Sequence, residues 1–454
     1  MNIPKSILYF VFIALFVIQA RSQDVLEKYI DEGLNNNLAL KQKKLNYRKS
    51  LETLQEARGL FFPDISFNAR YSIADGGRVF DIPTGDMLNP VYSTLNHLTQ
   101  TNNFPQIENQ EIPFLRPNEQ ETKLSLRQPI FRPEVFFNFK IRKNMAEVEF
   151  IGVEVYKREL VYEIKTAYFN YLKTVKALEV FELTLNVVHE NLRVNESLFE
   201  NDKVTMDVVY RSKAELSKVE QQKAEAEKLH NTSKAYFNFL LNRGLVEPIL
   251  VMEESNLRQE EWANESEAVN KALSNREELD QVKLYQDIAE KSLMLNRYNM
   301  APTLSGAVDY GIQGERYEFG PDADFVMASL VLEWKLFRGF ENRAKIQKAA
   351  IEKYILEEKY NELEKQINLY VIDAFYELAA AIEAVVSART QRESAVKAFD
   401  LINKKYNQGQ SNLLEFIDAR TSATNALLNL ILAQYDFEIS QAAYERALAI
   451  YPID

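Results

Sequence analysis

The sequence predicts a mainly α-helical protein with a small β part, in which long antiparallel helical hairpins are arranged in a tandem repeat. Glycine and proline are scarce, at 13 each among 454 residues. Long runs of Glu, Lys, Ala, Leu, Gln and Asn alternate with apolar residues, which is the pattern of very long helices. A proline-containing stretch at 61–71 recurs in similar form at 300–310. Each copy opens a segment in which apolar and polar residues alternate, and such alternation indicates a β-strand.

Residues 1–22 are interpreted as a secretory signal peptide. Lys5 precedes a continuous apolar run at 7–18, and Ala20 and Ser22 supply small side chains at the spacing of a cleavage site. The run is too short to span a bilayer as a helix. Cysteine is absent, which excludes disulfides, thiolate metal sites, cysteine nucleophiles and a lipid-anchor cysteine.

The charge and the motif content argue against nucleic-acid binding and against catalysis. The net charge is −12, whereas binding to phosphates depends on an excess of Lys and Arg. The sequence holds neither a phosphate-binding Gly loop nor a helix with paired histidines. His97, His189 and His230 stand far apart along the chain. We therefore expect no enzyme activity, no metal, no cofactor and no nucleic-acid partner. After the signal peptide no apolar stretch reaches 18 residues, so entry into a membrane would have to use strands.

The repeat divides the chain into 23–241 and 264–454, joined by an inter-repeat segment at 242–263. In each repeat a helix ends at a proline, two strands follow, and a very long helix leads through a tight turn, the helix tip, into a further helix. The predicted elements are 24–58, 61–73, 121–131, 133–200 and 205–241 in the first repeat, and 264–299, 301–312, 325–337, 340–406 and 411–450 in the second. A helix of about 67 residues rises roughly 100 Å, and the two shorter helices of a repeat sum to nearly that length. We expect the shorter helices to stack end to end beside the long one, and the inter-repeat segment to pack around the middle of the helical part.

All four predicted strands have one apolar and one polar face. The apolar faces hold Ile65, Phe67, Ala69, Tyr71 and Ile73; Leu124, Leu126 and Ile130; Leu304, Val308 and Tyr310; and Leu330, Leu332, Trp334 and Leu336. This alternation suits a transmembrane barrel with lipid outside and water inside, and equally a soluble sheet packed on a helix. The signal peptide favours the barrel. Because four strands are too few to close one, three copies are expected to supply twelve. The strand connections are predicted to be long and irregular at 74–120 and short at 313–324.

The ordered set of motifs resembles the TolC-type outer-membrane efflux proteins. The resemblance is carried by Phe-Phe-Pro-Asp-Ile-Ser at 61–66, by Leu-Phe-Arg-Gly at 336–339 and by the helix tip at 406–420, and it covers nearly the whole mature chain. It implies a homotrimer with a twelve-stranded barrel in outer-membrane lipid and an α-helical barrel (α-barrel) across the periplasm of a Gram-negative-type cell. The implied activity is that of a passive exit duct, into which an inner-membrane pump and a periplasmic adaptor (membrane fusion) protein deliver cargo.

The resemblance also assigns a pore constriction. Glu415 and Asp418 match acidic positions that ring the narrowest point of the duct in the family. They are three residues apart, so they share one face of a helix. Threefold symmetry would bring six carboxylates to the axis, and such a ring favours cations. The alternative is an ordinary solvated pair of acidic side chains.

Further residues at the tips are assigned in the same way. Tyr406 and Asp207 match positions whose hydrogen bonds hold neighbouring hairpins together in the closed state, although a packing aromatic at a helix end explains Tyr406 equally well. Ser411 stands where some members have an Arg that joins this latch. The first tip, 200–207, is one residue short of the family pattern and lacks its usual Gly. The adaptor is expected to contact both tips, including Asp202, Lys203, Gly409 and Gln410.

Two other functions fit parts of the sequence. An exported, non-conducting helical coiled-coil scaffold or adhesion stalk would suit heptad-like stretches such as 143–199, but it needs neither the alternating strands nor matching tips in both repeats. The exit duct of a type I secretion system would have the same architecture with a different partner. The sequence leaves the cargo open.

Overall fold

The computed structural model describes residues 25–251 and 264–453, and the chain is mainly α-helical with a small β part, as predicted. The predicted signal peptide at 1–22 and residues 252–263 of the inter-repeat segment lie outside the described residues. The helices are α1 (25–36), α2 (Leu38–Gly59), α3 (Thr84–Thr99), α4 (Pro133–Glu200), α5 (Met206–Leu240), α6 (Glu265–Asn275), α7 (Glu277–Tyr298), α8 (Glu341–Asn407) and α9 (Leu413–Leu448). The strands are β1 (Asp64–Ile73), β2 (Val79–Ile82), β3 (Gln110–Pro113), β4 (Asn118–Phe131), β5 (Thr303–Gly314) and β6 (Asp324–Glu333). No helix within these ranges is both long and apolar enough to cross a bilayer.

The two long helices run without interruption over 68 and 67 residues, within one residue of the predicted 133–200 and 340–406. Pro133 is the first residue of α4, where its missing N–H leaves no helical hydrogen bond unmade and its fixed φ suits the helix. Pro is absent from the interior of both helices. The helices therefore continue until the turns at the tips end them.

The two helices that precede the strands are each divided in two, whereas the sequence predicted continuous helices at 24–58 and 264–299. The first break lies at Asn37, whose Oδ1 accepts a hydrogen bond from the amide of Leu40 at 2.9 Å, as a cap at the start of α2. Its Nδ2 donates to the carbonyl of Leu240 at 2.8 Å, so the break also joins α2 to the end of α5. The second break lies at Arg276, which has extended backbone dihedrals between α6 and α7.

Two compact units divide the chain, and neither coincides with a sequence repeat. The first takes its described residues from 1–51, 144–289 and 352–454, and the second consists of 52–143 and 290–351. Each unit therefore contains parts of both repeats, so the repeats are units of sequence rather than compact domains. The first unit has two apolar clusters. One surrounds Tyr29, Ile164, Tyr168 and Phe237, and the other surrounds Ile367, Val371, Phe437 and Tyr444.

The second unit holds an antiparallel sheet in the order β1-β4-β5-β6. The strands lie close to their predicted positions, except that β6 ends at Glu333 rather than at 337. Thr303, the first residue of β5, pairs with Glu333, and the preceding Pro302 has no N–H with which to extend the ladder. Beyond this point the indole of Trp334 donates a hydrogen bond to the carbonyl of Met300 at 3.0 Å.

The connection between β1 and β4 is ordered, although the sequence predicted an irregular segment at 74–120. It contains the β2–β3 hairpin and helix α3. Asparagine side chains hold α3 to the segment that follows it: Asn89 bonds both backbone groups of Ile107, and Asn96 bonds both backbone groups of Phe104. Side chain to backbone bonds of this kind, rather than an apolar core, give the connection its structure.

We expect Asn37→Ala to lower the free energy of unfolding by about 2 kcal/mol, because the substitution removes a helix cap and leaves the Leu240 carbonyl without its side-chain donor. The matched control is Asn35→Ala, since the exposed Asn35 side chain bonds only the nearby carbonyl of Asp31. Unfolding in guanidinium chloride, followed by helical circular dichroism, measures both variants. Equal stability of the two variants would contradict the structural role assigned to Asn37.

Candidate functional site at the helix tips

The two helix tips have turns of the same length. Helix α4 ends at Glu200 and α5 begins at Met206, while α8 ends at Asn407 and α9 begins at Leu413. The residue before the turn and the residue after it are each shifted by 207 positions from the first tip to the second. Every residue of the first turn therefore has one counterpart in the second. The first tip is therefore as long as the second tip of this chain, and its being one residue short of the family pattern stays a prediction.

Both turns close with the same helix-terminating motif. In the first, the amides of Asp202 and Lys203 donate to the carbonyls of Phe199 and Leu198 at 3.0 and 2.9 Å. In the second, the corresponding amides, of Gly409 and Gln410, donate to the carbonyls of Tyr406 and Lys405 at 3.0 and 2.8 Å.

The left-handed position of this motif favours glycine. Asp202 has a φ of 56° and Gly409 a φ of 72°. An aspartate tolerates this conformation better than most residues, which explains how the first tip turns without the glycine.

The predicted constriction residues lie on one exposed face of α9, near its first residue. Glu415 and Asp418 are both exposed and are three residues apart. Glu415 also completes a capping box, since its amide donates to Oδ1 of Asn412 at 2.9 Å and its carboxylate accepts from the Asn412 amide. The Ser411 hydroxyl donates to the same carboxylate. The hydrogen bond from Ser411 is the largest cause that lowers the pKa of Glu415, and the bond from the Asn412 backbone is the second. The carboxylate therefore stays ionised at neutral pH.

The predicted latch residues do not bond one another in the described chain. Asp207 accepts a hydrogen bond from Thr205 and lies 3.9 Å from the Arg211 guanidinium, which places its contacts within its own helix end. Ser411 likewise bonds Glu415 within its own turn. Asp207 and Ser411 therefore provide no link between the two hairpins of one chain. In the second tip, the position that corresponds to Asp207 is occupied by Leu414.

Tyr406 does link the two hairpins, through a residue that the sequence did not single out. Its hydroxyl donates to Oδ1 of Asn195 on α4 at 2.7 Å, and its ring stacks on Phe416 with centroids 4.9 Å apart. Asn195 is fully buried, and its Nδ2 donates to Ser212 at 2.8 Å and to Asn191 at 3.1 Å. Within the chain Tyr406 thus both donates a hydrogen bond and packs on a ring, and its part in a closed-state latch stays a prediction.

A second link, also missed from the sequence, joins α9 to α5. Arg420 is 4% exposed and forms an ion pair with Glu215. Further along α9, the hydroxyls of Thr424 and Thr184 lie 3.3 Å apart. In the sequence, Arg420 stands at the spacing from Leu413 at which apolar residues recur on a buried helix face, and this could have marked it as buried. Its acidic partner lies 205 residues away and could not be identified from spacing.

The residues expected to contact an adaptor lie at the surface of the tips. Asp202, Lys203, Gly409 and Gln410 are all exposed. Three apolar side chains next to the turns are exposed as well, namely Met206, Tyr210 and Leu414. Polar turns with exposed apolar neighbours are suited to binding another protein. No cluster of potential metal-ligating side chains occurs in 25–251 or 264–453.

The sheet carries the other functional surface. Its polar face holds an ion-pair ladder, in which Glu121 lies 3.6 Å from Arg70 and 2.8 Å from Lys123, and Lys123 lies 3.5 Å from Asp309. The opposite face is apolar and exposed. Its members include Ile65, Phe67, Tyr71, Ile73, Leu124, Val308, Tyr310, Val326, Leu330 and Leu332. A contiguous set of exposed large apolar side chains of this kind marks an interaction surface.

We expect Tyr406→Phe to lower the free energy of unfolding by about 1 kcal/mol, because Oδ1 of the buried Asn195 loses its donor while the ring stacking is kept. Tyr210→Phe is the matched control, since that tyrosine is 62% exposed. Limited proteolysis at the tips and denaturant unfolding would measure the difference. A loss of equal size in both variants would argue against the hydrogen bond.

Comparison with known proteins gives a consistent result. Residues 268–449 match the family described as outer membrane efflux protein. The chain is 19% identical to outer membrane protein TolC of Escherichia coli (strain K12) over 445 residues, which cover 94% of this chain and 83% of TolC.

Solved structures show the same fold. The Campylobacter jejuni CmeC outer membrane channel has a TM-score of 0.79 at 14% identity, covering 93% of this chain and 85% of CmeC. The open state of the Neisseria gonorrhoeae MtrE outer membrane channel has a TM-score of 0.75 at 15% identity, covering 93% of this chain and 88% of MtrE. The predicted fold class and the predicted family resemblance are therefore confirmed.

Proposed function

Because this chain is a relative of the TolC-type outer-membrane efflux proteins in sequence and in fold, we propose that three copies form an outer-membrane channel that is the passive exit duct of a tripartite efflux system. The observation that carries this proposal is the four-stranded sheet with one exposed apolar face, one charged face and two free edges. Each of these three surfaces of the sheet is suited to a different environment: the apolar face to lipid, the charged face to water, and the free edges to further strands.

The apolar face of the sheet fits outer-membrane lipid. Phe67, Val326 and Leu330 are each 69–70% exposed in the single chain, an arrangement that is unfavourable in water and favourable against acyl chains. The opposite face, with its ladder of ion pairs, fits a water-filled lumen. Aromatic residues lie near both ends of the apolar band, with Tyr71 towards one end and Trp334 just beyond the other, as at the two interfaces of a membrane.

The free edges fit further copies of the chain. Among the residues that the structure describes, strands β1 and β6 each pair on one side only, so a row of backbone N–H and C=O groups remains open on each. In lipid these groups need partners, and pairing β6 of one copy with β1 of the next provides them. Three copies supply twelve strands and a lumen wide enough for water.

The helix tips fit the periplasmic end of the same duct. Threefold symmetry would bring the exposed Glu415 and Asp418 of each copy towards the axis, where they would form the constriction. The exposed tip residues would bind a periplasmic adaptor protein, to which an inner-membrane pump delivers cargo. A type I secretion system would use the same duct with other partners. The family match is to efflux proteins and the relatives are channels, so the proposed role is transport and not catalysis.

The alternative of a non-conducting scaffold or stalk leaves the sheet unexplained. A coiled-coil stalk would bury its apolar surface between helices. It would not place large apolar side chains on the outside of a four-stranded sheet, nor would it need open sheet edges. Conductance separates the two functions directly.

The proposal is tested by single-channel conductance of the purified protein in a planar bilayer, next to the Glu415→Gln/Asp418→Asn variant. We expect a small cation-selective conductance in the parent protein. In the variant the conductance should lose much of its cation selectivity, because the carboxylates that attract cations are gone. Glu225→Gln, an exposed acid on α5, is the matched control and should behave as the parent does. If a folded trimer inserted in the bilayer showed no conductance, the proposal of an exit duct would be overturned.

The lipid-facing surface can be tested by placing the same charge on either face of β6. Leu330→Arg should impair insertion by about 2–4 kcal/mol, because the guanidinium would lie in the acyl region. Ser329→Arg on the adjacent, lumen-facing position should insert nearly as well as the parent protein. The fraction recovered as heat-resistant trimer after refolding into lipid vesicles is the measurement. Equal insertion of both variants would contradict the assigned orientation.

A further inference from the structure

The first turns of α9 have a buried face and an exposed face. The buried face contains Leu413, Phe416, Arg420 and Ala423, which are 8%, 3%, 4% and 5% exposed. At 100° per residue these four fall within a narrow arc of the helix. Glu415 and Asp418 lie on the opposite side, and both are exposed. The rotation of α9 about its own axis therefore decides where the two carboxylates point.

Apolar contacts alone fix this rotation poorly. Leu413, Phe416 and Ala423 bury apolar surface, and the free energy of such burial depends on area and hardly on direction. An ion pair between buried groups depends strongly on both distance and direction. The Arg420–Glu215 pair is the charged contact within this apolar face, and its side chains are 5% and 14% exposed.

We propose that Arg420 is a positioning residue of the constriction, and that its ion pair with Glu215 on α5 holds α9 in the rotation that points Glu415 and Asp418 away from the other helices of its own chain. This inference rests on the proposed function, because the direction of the carboxylates matters only if they line a pore. The family resemblance assigns a role to neither residue, although Arg420 is the last residue of the tip motif at 406–420.

The Arg420–Glu215 pair is better suited to orienting α9 than to stabilising the fold. Burying an ion pair costs desolvation that its attraction roughly offsets, so an apolar pair of similar size would stabilise the fold as well or better. What the apolar pair would not provide is a single rotation. The Nη2 of Arg420 bonds both Glu215 and the hydroxyl of Thr421 at 3.1 Å, which ties the side chain to α5 and to the next residue of its own helix.

The chain also contains a suitable control pair. Lys213 on α5 lies 3.1 Å from Glu196 on α4, and these side chains are 51% and 45% exposed. An exposed pair of this kind is screened by water and contributes little. Glu196→Gln changes the net charge of the tips by the same amount as Glu215→Gln does, but it should leave the rotation of α9 unchanged.

The experiment measures the orientation of α9 by distances between spin labels. The chain has no cysteine, so labels can be placed uniquely at Ser217→Cys on α5 and Leu414→Cys on α9, both exposed positions. Labelled chains are diluted into unlabelled ones, so that each assembly holds one labelled copy. Double electron–electron resonance then reports one intramolecular distance. The readout does not require conduction, so it separates failure of this inference from failure of the proposed function.

We expect a narrow distance distribution in the parent protein. In Glu215→Gln it should shift or widen about twofold, because a helix packed only by apolar contacts loses a unique arrangement. The swapped pair Arg420→Glu/Glu215→Arg should restore a narrow distribution, and Glu196→Gln should leave it unchanged. If Glu215→Gln does not assemble, Arg420→Met/Glu215→Leu makes the same test with an apolar pair. An unchanged distribution in the folded Glu215→Gln or apolar-pair protein would overturn the proposal. So would widening that the swapped pair fails to restore, since packing would then be the cause.

Discussion

Backbone groups at the two edges of the four-stranded sheet need hydrogen-bond partners that the sheet itself does not supply. Within residues 25–251 and 264–453, the four antiparallel strands satisfy one another internally but leave one side of β1 and one side of β6 open. In water such edges are tolerable, whereas in lipid each unpaired group costs several kcal/mol. A sheet that also exposes an apolar face is therefore suited to pairing with further strands, and the proposed assembly of three copies supplies them.

The two repeats use the same backbone to support different chemistry at their tips. Both turns have the same length and the same terminating hydrogen bonds. At equivalent positions, however, the first tip has Val208 where the second has Glu415, and Arg211 where the second has Asp418. Only the second tip thus carries the acidic pair. The two turns keep the same geometry although these side chains differ. The reason is that a turn of this kind depends on backbone hydrogen bonds and on one left-handed residue, and not on the neighbouring side chains.

Buried ion pairs recur where helices distant in sequence meet within the first compact unit. Arg446 near the end of α9 is 8% exposed, and its guanidinium lies 3.0 Å from Glu159 on α4 and 2.8 Å from Glu278 on α7. Arg420 and Glu215 form the corresponding contact nearer the tip. Burial of the apolar stripes fixes the rotation of long helices approximately, because turning a stripe outward exposes apolar area. Directional contacts of this kind are expected to narrow the choice further, among arrangements that bury similar area.

The mainly helical class, the repeated order of elements, the positions of the strands and the location of the tips could be predicted from sequence. These features depend on local spacing: the scarcity of Gly and Pro across α4 and α8, the alternation in β1, and the turn residues between α8 and α9. The breaks at Asn37 and Arg276 and the ordered connection between β1 and β4 were not predicted. They arise where a side chain bonds a backbone group or buries a charge against another element.

The partners of the tip residues, in contrast, depend on how distant helices pack together. The spacing of Glu415 and Asp418 placed them on one helix face, but it could not show that Ser411 and Asn412 bond the Glu415 carboxylate. Nor could it pair Tyr406 with Asn195, or Arg420 with Glu215, across 211 and 205 residues. Helical periodicity says which face a residue occupies. Which residue it meets there depends on the rotation and register of the neighbouring helices, and these are fixed by the packing of the whole unit.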